Sequence, residues 1–267
     1  MNLDAATVVL RQRTPVEIVD LALLVCRRHW LAIPFLAVAG ALPWALLDAW
    51  LVSGSAPSVD EDAAWARWFP YMLLVAAQVP VATAPLTAFL GQALFDHRPD
   101  AGRALLTAWK RTPVLLVAGV LRGLFALVPP VLLAWPSHLV EALVLEGQGF
   151  TAAWRRAGAL RGADTGAGPV LMLLGIPVLA GAVVLVVGTL EAVLGLLIHA
   201  DPWQVEQWTS AADPGASPAV QVAVWAAVAY LGVVRFFAYI DLRTRAEGWA
   251  IDLDLRRTAA RLDTGSA

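Results

Sequence analysis

One arginine stands out because it falls deep inside an apolar segment. Arg122 is nine residues into the segment that begins at residue 113, about 14 Å at the helical rise. An ionised side chain near the bilayer centre costs at least about 2.5–3.5 kcal/mol and usually faces protein or water. The nearest acidic partner in sequence is Glu141, with Gln78 and His138 as further polar candidates. We interpret this group first as a structural lock and, alternatively, as a substrate or ion site.

The densest polar motif is the stretch AYIDLRTRAEGWAIDLDL, which starts at residue 238. If a helix continues through it, Asp241 and Arg245 are four residues apart, as are Arg243 and Glu247. Oppositely charged side chains at this spacing are neighbours on a helix surface. The motif is interpreted either as a salt-bridged helix end or as a docking surface for a cytoplasmic partner.

Sequence signatures of catalysis and of metal binding are missing. The chain contains no phosphate-binding loop, zinc-protease motif, paired-cysteine site or nucleophile elbow. Its four histidines do not group by spacing into a metal site, and Cys26 is the single cysteine. We therefore expect no cofactor, no bound metal and no enzymatic activity.

The composition excludes an ordinary soluble domain. Of the 267 residues, 59% are hydrophobic and 15% are charged, against about 45–50% and about 25% in soluble proteins. The net charge of -2 gives no reason to expect nucleic-acid binding. Lys110 is the only lysine among the 19 basic residues, a bias typical of a high-GC bacterial genome.

Long apolar blocks predict an all-α, polytopic membrane helix bundle, because a transmembrane helix needs about 20 mostly apolar residues. A cytoplasmic N-terminal segment with an amphipathic helix is expected over 1–29, a membrane domain over 30–241 and a cytoplasmic tail over 242–267. The membrane domain is predicted to hold about six spans, at about 30–52, 68–95, 113–129, 130–146, 168–190 and 219–240.

The distribution of basic residues predicts the orientation of these spans. Short cytoplasmic loops carry an excess of Lys and Arg, and 16 of the 19 basic residues fall in the N-terminal segment, in the loops 96–112 and 147–167, and in the tail. An even number of crossings must therefore separate the two loops, which places a hairpin over 113–146. Both termini are expected in the cytoplasm, with the chain in the bacterial cytoplasmic (inner) membrane.

A short amphipathic segment with a basic end precedes a span three times. These segments begin with TPVEIVDLALL at Thr14, with RPDAGRALL at Arg98 and with GFTAAWRRA at Gly149. The pattern is interpreted as three units, each an interfacial helix followed by a transmembrane hairpin. At the first of them, Thr14 is the expected N-cap and Pro15 suits the first turn.

Three motifs resemble those of a known family of membrane proteins. They are E-G-x-G-x-x-x-A-W-R-R-A-x-x-L-R-G at 146–162, Y-x-D-L-R-x-R-x-E-G at 239–248 and R-x-R-T-P-x-E-I-x-D at 11–20. Together they resemble bacterial multi-pass proteins related to the membrane domain of glycerophosphodiester phosphodiesterases. The resemblance implies a six-helix membrane module. In the named enzymes catalysis belongs to a separate soluble barrel, for which this chain has no room, so no catalytic residue is carried over.

The sequence supports two expectations for function. The preferred one is a non-enzymatic scaffold or accessory subunit of a membrane complex, in contact with lipids and with a cytoplasmic or membrane protein partner. The alternative is a small transporter or lipid-handling protein with a polar site around Arg122.

Overall fold

A computed structural model describes residues 13–53, 62–96, 98–128, 136, 138–162, 167–197, 205, 208–210 and 214–247. All secondary structure in these ranges is helical, which confirms the predicted all-α class. The helices are α1 (Pro15–Arg28), α2 (Ala32–Ser53), α3 (Asp62–Ala82), α4 (Ala84–Phe95), α5 (Ala101–Ala126), α6 (Leu139–Leu145), α7 (Phe150–Gly162), α8 (Ala167–Ala192) and α9 (Pro218–Ala246). A π-helical segment, Val193–Leu197, extends α8.

Among the described residues, five helical segments are long and apolar enough to cross a membrane. This number of candidate spans is typical of a multi-pass membrane protein. They overlap the predicted spans at 30–52, 68–95, 113–129, 168–190 and 219–240. The five segments are Ala32–Leu51, Ala66–Leu94, Ala101–Ala126, Gly175–Leu196 and Pro218–Ala246.

The predicted span at 130–146 takes a different form where it is described. It contains α6, whose seven residues extend about 10 Å and cannot cross a bilayer alone; residues 129–135 and 137 lie outside the described ranges. The chain nevertheless returns beside α5, because the Arg111 guanidinium donates to the carbonyl oxygen of Gly147 at 2.8 Å. The arms of the expected hairpin therefore lie side by side, although the described part of the returning arm is short.

The three expected interfacial helices differ in how they join their spans. Helix α1 is separate and begins with the predicted Thr14 cap, whose side chain and backbone N–H exchange hydrogen bonds with Glu17. Helix α7 is also separate from α8. The second unit was predicted wrongly, because α5 runs without interruption from its Asp100 cap through Pro113 to Ala126.

Helix α9 lies at the centre of the bundle and packs against α1, α2, α4, α7 and α8. Two close approaches position the helices around it. Gly40 of α2 lies against the backbone of Ala82, and Gly119 of α5 lies against the carbonyl of Ala77, so that neither position has room for a Cβ atom. By contrast, the apolar window of the Gly175–Leu196 span contains no buried residue.

Candidate functional site

Four polar side chains from four parts of the fold meet inside the bundle. We call Thr83, Arg122, Glu141 and Arg235 the interior arginine site. The Nε atom of Arg235 donates to the Oε1 atom of Glu141 at 2.6 Å, and its terminal NH2 group donates to Thr83 Oγ1 at 3.1 Å. Glu141 is fully buried and the Arg235 side chain is 17% exposed. This is the geometry of a strong, charge-assisted pair shielded from solvent.

The elements that hold this pair follow from the local sequence. Thr83 lies at the junction of α3 and α4, where Pro85 supplies no backbone N–H, and its hydroxyl donates to the Val79 carbonyl at 2.8 Å. A Cβ atom on Gly232 would lie 3.2 Å from the Thr83 side chain, so glycine allows α9 to approach here, one turn before Arg235. Glu141 is in the first turn of α6, and six of that helix's seven residues are buried.

The expected pairing of Arg122 with Glu141 is wrong. Glu141 bonds directly to Arg235, while Arg122 lies within electrostatic range of both groups. Arg122 forms no hydrogen bond or ion pair with any residue that the structure describes, although its Nε atom is enclosed. The Oε2 atom of Glu141 is enclosed and equally lacks a described partner. Among the described residues, two guanidinium groups therefore share one carboxylate, which leaves an excess charge of one.

Gln78, the other predicted member of the site, lies elsewhere. Its Nε2 atom donates to Oδ1 of Asp48 on α2 at 2.6 Å. Asp48 lies near the C-terminal end of α2, away from the interior arginine site. Asp48 is fully buried and Gln78 is 5% exposed, because α2 directs the carboxylate inward against α3.

His138, by contrast, lies close to the interior arginine site. It precedes α6 and is three residues from Glu141, and its buried ring is tilted against Tyr239, with 5.8 Å between the ring centroids. Tyr239 is one turn beyond Arg235 on α9. His138 therefore lies between the interior arginine site and a second polar cluster at the end of the bundle.

This second cluster, the end network, consists of Glu146, Arg156, Tyr239, Arg243 and Glu247. Glu146 accepts hydrogen bonds from Tyr239 Oη at 2.5 Å and from Arg156 Nε at 3.3 Å. Glu247 accepts two bonds from Arg243, at 3.1 and 3.0 Å, and pairs with Arg156. Two arginines thus face two carboxylates, and the charges balance.

The predicted docking motif is folded into the protein. Both expected pairs are confirmed, with Arg245 bonded to Asp241 at 2.8 Å and Arg243 to Glu247. Asp241 is 4% exposed and accepts the backbone N–H of Arg13, while Arg245 donates to the Arg13 carbonyl at 2.6 Å. All four side chains therefore have partners within the chain, and recognition of another protein by them stays a prediction.

The three sequence motifs of the proposed resemblance meet in the structure. Glu146 and Arg156 come from the first, Arg243 and Glu247 from the second, and Arg13 of the third contacts the second through Asp241. Comparisons with protein families, with curated proteins and with solved structures find no match for this chain. The contacts therefore show that the motifs fold against each other and leave the family resemblance as a prediction.

Half of the interior arginine site and three of the five residues of the end network were not among the predicted site residues. Arg235 is the second arginine within a span and should have been considered alongside Arg122, since both need a counter-charge. Thr83 carried no comparable signal, because a threonine in an apolar segment is common, and Glu146 was noted only as the first residue of the motif at 146–162.

The interior arginine site presents hydrogen-bond donors that an anion could use. Within the described ranges no group of three or more His, Cys, Asp or Glu side chains could hold a metal ion. The excess guanidinium of the interior arginine site is instead suited to an anion, because arginine presents several N–H donors to carboxylate or phosphate.

Proposed function

We propose that the chain is a small transporter or lipid-handling membrane protein that binds an anionic group at the interior arginine site. The observation that carries this proposal is the excess charge: Arg122 has no described partner, and the only carboxylate of the site is bonded to Arg235. An uncompensated charge in a low-dielectric interior is costly, and a bound anion would offset that cost.

The depth of Arg122 along α5 indicates where in the bundle an anion would bind. Arg122 lies eleven residues beyond Arg111 on α5, about 16 Å along the helix axis. Arg111 contacts Gly147 at the end of the bundle where the end network lies. An anion at Arg122 would therefore enter the membrane-spanning part of the bundle, either as the headgroup phosphate of a lipid or as a small solute.

A second candidate is the scaffold or accessory subunit expected from the sequence. It is favoured by α8, whose apolar span has no buried residue and whose surface is therefore available to lipid or to a partner helix. The balance of described contacts favours the first proposal, because the predicted docking motif is engaged within the chain.

We also propose the bacterial cytoplasmic membrane as the location, with both termini in the cytoplasm and without enzymatic activity. The orientation draws support from contacts among all four of the basic segments. Arg13 meets Asp241, Arg111 meets Gly147, and Arg156 meets Glu247, so these segments lie near one end of the bundle. A reporter fused to Ala267 that is found outside the cell would contradict this orientation.

Binding can be tested on the full chain in mild detergent by measuring its melting temperature. Inorganic phosphate and a short-chain phosphatidic acid would be titrated separately against a chloride control of equal ionic strength. We expect one or both to raise the melting temperature. Phosphate alone would identify a solute site, whereas phosphatidic acid alone would identify a lipid site.

A matched pair of variants assigns the binding to the site. Arg122→Gln removes the unpartnered guanidinium and should abolish stabilisation by the ligand. Arg103→Gln removes the same charge from an exposed position of α5 and should leave it intact. Equal ligand stabilisation in the wild type and in both variants would overturn the proposal.

A further inference from the structure

A second buried polar pair lies on the other side of α3. The carboxyl group of Asp48 and the amide of Gln78 share one hydrogen bond, from Nε2 to Oδ1 at 2.6 Å. Helix α3 separates this pair from the interior arginine site, because Ala77 packs against Gly119 and Gly123 of α5 while Gln78 faces α2. The pair is therefore distinct from the site of the proposed function.

The other two oxygen atoms of this pair cannot bond to each other as they stand, because both are acceptors when Asp48 is ionised. Asp48 Oδ2 and Gln78 Oε1 are both enclosed, and neither has a hydrogen-bond partner in the part of the chain that the structure describes. Each is an acceptor when the acid is ionised. No described cation pairs with Asp48; the phenol of Tyr71 lies within electrostatic range of Asp48, and its hydroxyl donates to Gln221 at 3.2 Å.

We infer that Asp48 carries a proton and that Asp48 and Gln78 form a reversible proton-binding site. A proton on Oδ2 makes that oxygen a donor to Gln78 Oε1, and the existing bond from Nε2 to Oδ1 is kept. The result is a neutral acid–amide pair with two complementary hydrogen bonds. Release of the proton leaves a carboxylate with a single hydrogen bond in an apolar environment.

The number of oxygen ligands that Asp48 and Gln78 offer favours a proton over a metal cation. Ca²⁺ takes six to eight oxygen ligands and Mg²⁺ takes six, counting water. The pair offers two unpartnered oxygens, and the neighbouring Gln221 oxygen already accepts bonds from Tyr71 and Trp225. A single proton satisfies both free oxygens at once, because one becomes the donor and the other the acceptor.

Infrared spectroscopy of the full chain in mild detergent tests the protonation state directly. At neutral pH the wild type should show the C=O stretch of a protonated carboxylic acid, shifted to lower frequency in D₂O. Asp48→Asn should lose this band, and Glu191→Gln, which alters an exposed acid, should keep it. A carboxylate band lost in Asp48→Asn, with no carboxylic acid band in the wild type, would overturn the inference.

Melting temperatures provide a second readout that remains informative if a variant folds poorly. Asn at position 48 can accept from Gln78 Nε2 and donate to Gln78 Oε1, so Asp48→Asn should melt at the wild-type temperature. Asp48→Leu removes both bonds and leaves the amide unpaired, so it should melt at a lower temperature. An equal loss in both variants would contradict a protonated Asp48.

Discussion

The interior arginine site and the end network are built from the same kinds of side chain but differ in charge balance. In the end network two arginines face two glutamates, and each glutamate accepts at least two hydrogen bonds. In the interior arginine site two arginines share Glu141, and atoms of both Arg122 and Glu141 remain without described partners. Balanced charges join the helices in the end network, whereas the excess arginine of the interior arginine site supports the proposed binding of an anion.

The two regions also differ in what a substitution would leave behind. Removing one carboxylate from the end network leaves a second one in contact with both arginines, Arg156 and Arg243. Removing Glu141 leaves no carboxylate in the described interior arginine site. The same chemical change should therefore have unequal effects in the two places.

The largest effect is expected for Glu141→Gln. This change keeps the shape of the side chain but leaves the guanidinium groups of Arg235 and Arg122 without a counter-charge. Breaking a buried pair in this way costs about 3–5 kcal/mol. The free energy of unfolding in mild detergent measures it, and an unchanged value would show that Glu141 does not compensate these charges.

A backbone contact tests whether the interior arginine site depends on helix packing. Gly119→Ala would place a Cβ atom against the Ala77 carbonyl and push α5 away from α3, at a cost of about 1–3 kcal/mol. Arg122 lies one turn beyond and would move with α5. Gly188→Ala on α8 is the control, since no atom lies within 4 Å of its new Cβ, and its stability should stay unchanged.

A smaller effect is expected for Glu146→Gln in the end network. The amide oxygen can still accept from Tyr239, and Glu247 still pairs with Arg156 and Arg243. The loss should be about 1–2 kcal/mol, the range for a hydrogen bond to a charged group. A loss as large as that of Glu141→Gln would remove the distinction between the two regions.

The smallest effect on stability is expected for a change at His29. This residue lies between α1 and α2, outside the interior arginine site and the end network. Burial, and then the nearby Arg28, lower the pKa of His29 below its ordinary value of 6.5. The unfolded chain therefore binds a proton first, so stability should be complete above about pH 6.5 and should fall as the pH decreases below it. His29→Gln should flatten this part of the pH profile, whereas an unchanged profile would exclude His29 as its source.

The sequence predicted those parts of the fold that depend only on the length of apolar segments and on local helix caps. Apolar length located the spans represented by α2, by α3 with α4, by α5, by α8 and by α9, and Thr14 marked the start of α1. The sequence did not reveal that α5 continues through Pro113, because proline favours the first turn of a helix and is tolerated inside one only where neighbouring groups satisfy the freed carbonyl. It also did not reveal the short α6, because an apolar segment of the right length does not show where a helix begins.

The sequence predicted that Arg122 needs a counter-charge, but it did not predict which side chains would pair with one another. The sequence singled out Arg122 as a charge within an apolar segment, and Glu141 lies within electrostatic range of it. Which arginine bonds to Glu141 depends on the rotation of α9 against α6, and sequence spacing carries no information on that rotation. Gln78 was assigned to the wrong neighbour for the same reason, since its helix turns it toward Asp48 on α2.

The central claim is that the interior arginine site holds one cation more than the fold needs. Comparing the unfolding free energies of Arg122→Met and Arg235→Met with that of the wild type tests it most directly. We predict that Arg122→Met is at least as stable as the wild type, because the variant loses a half-buried charge that has no described partner. Arg235→Met should lose about 3 kcal/mol, because it breaks the pair with Glu141. Equal losses in the two variants would contradict the claim.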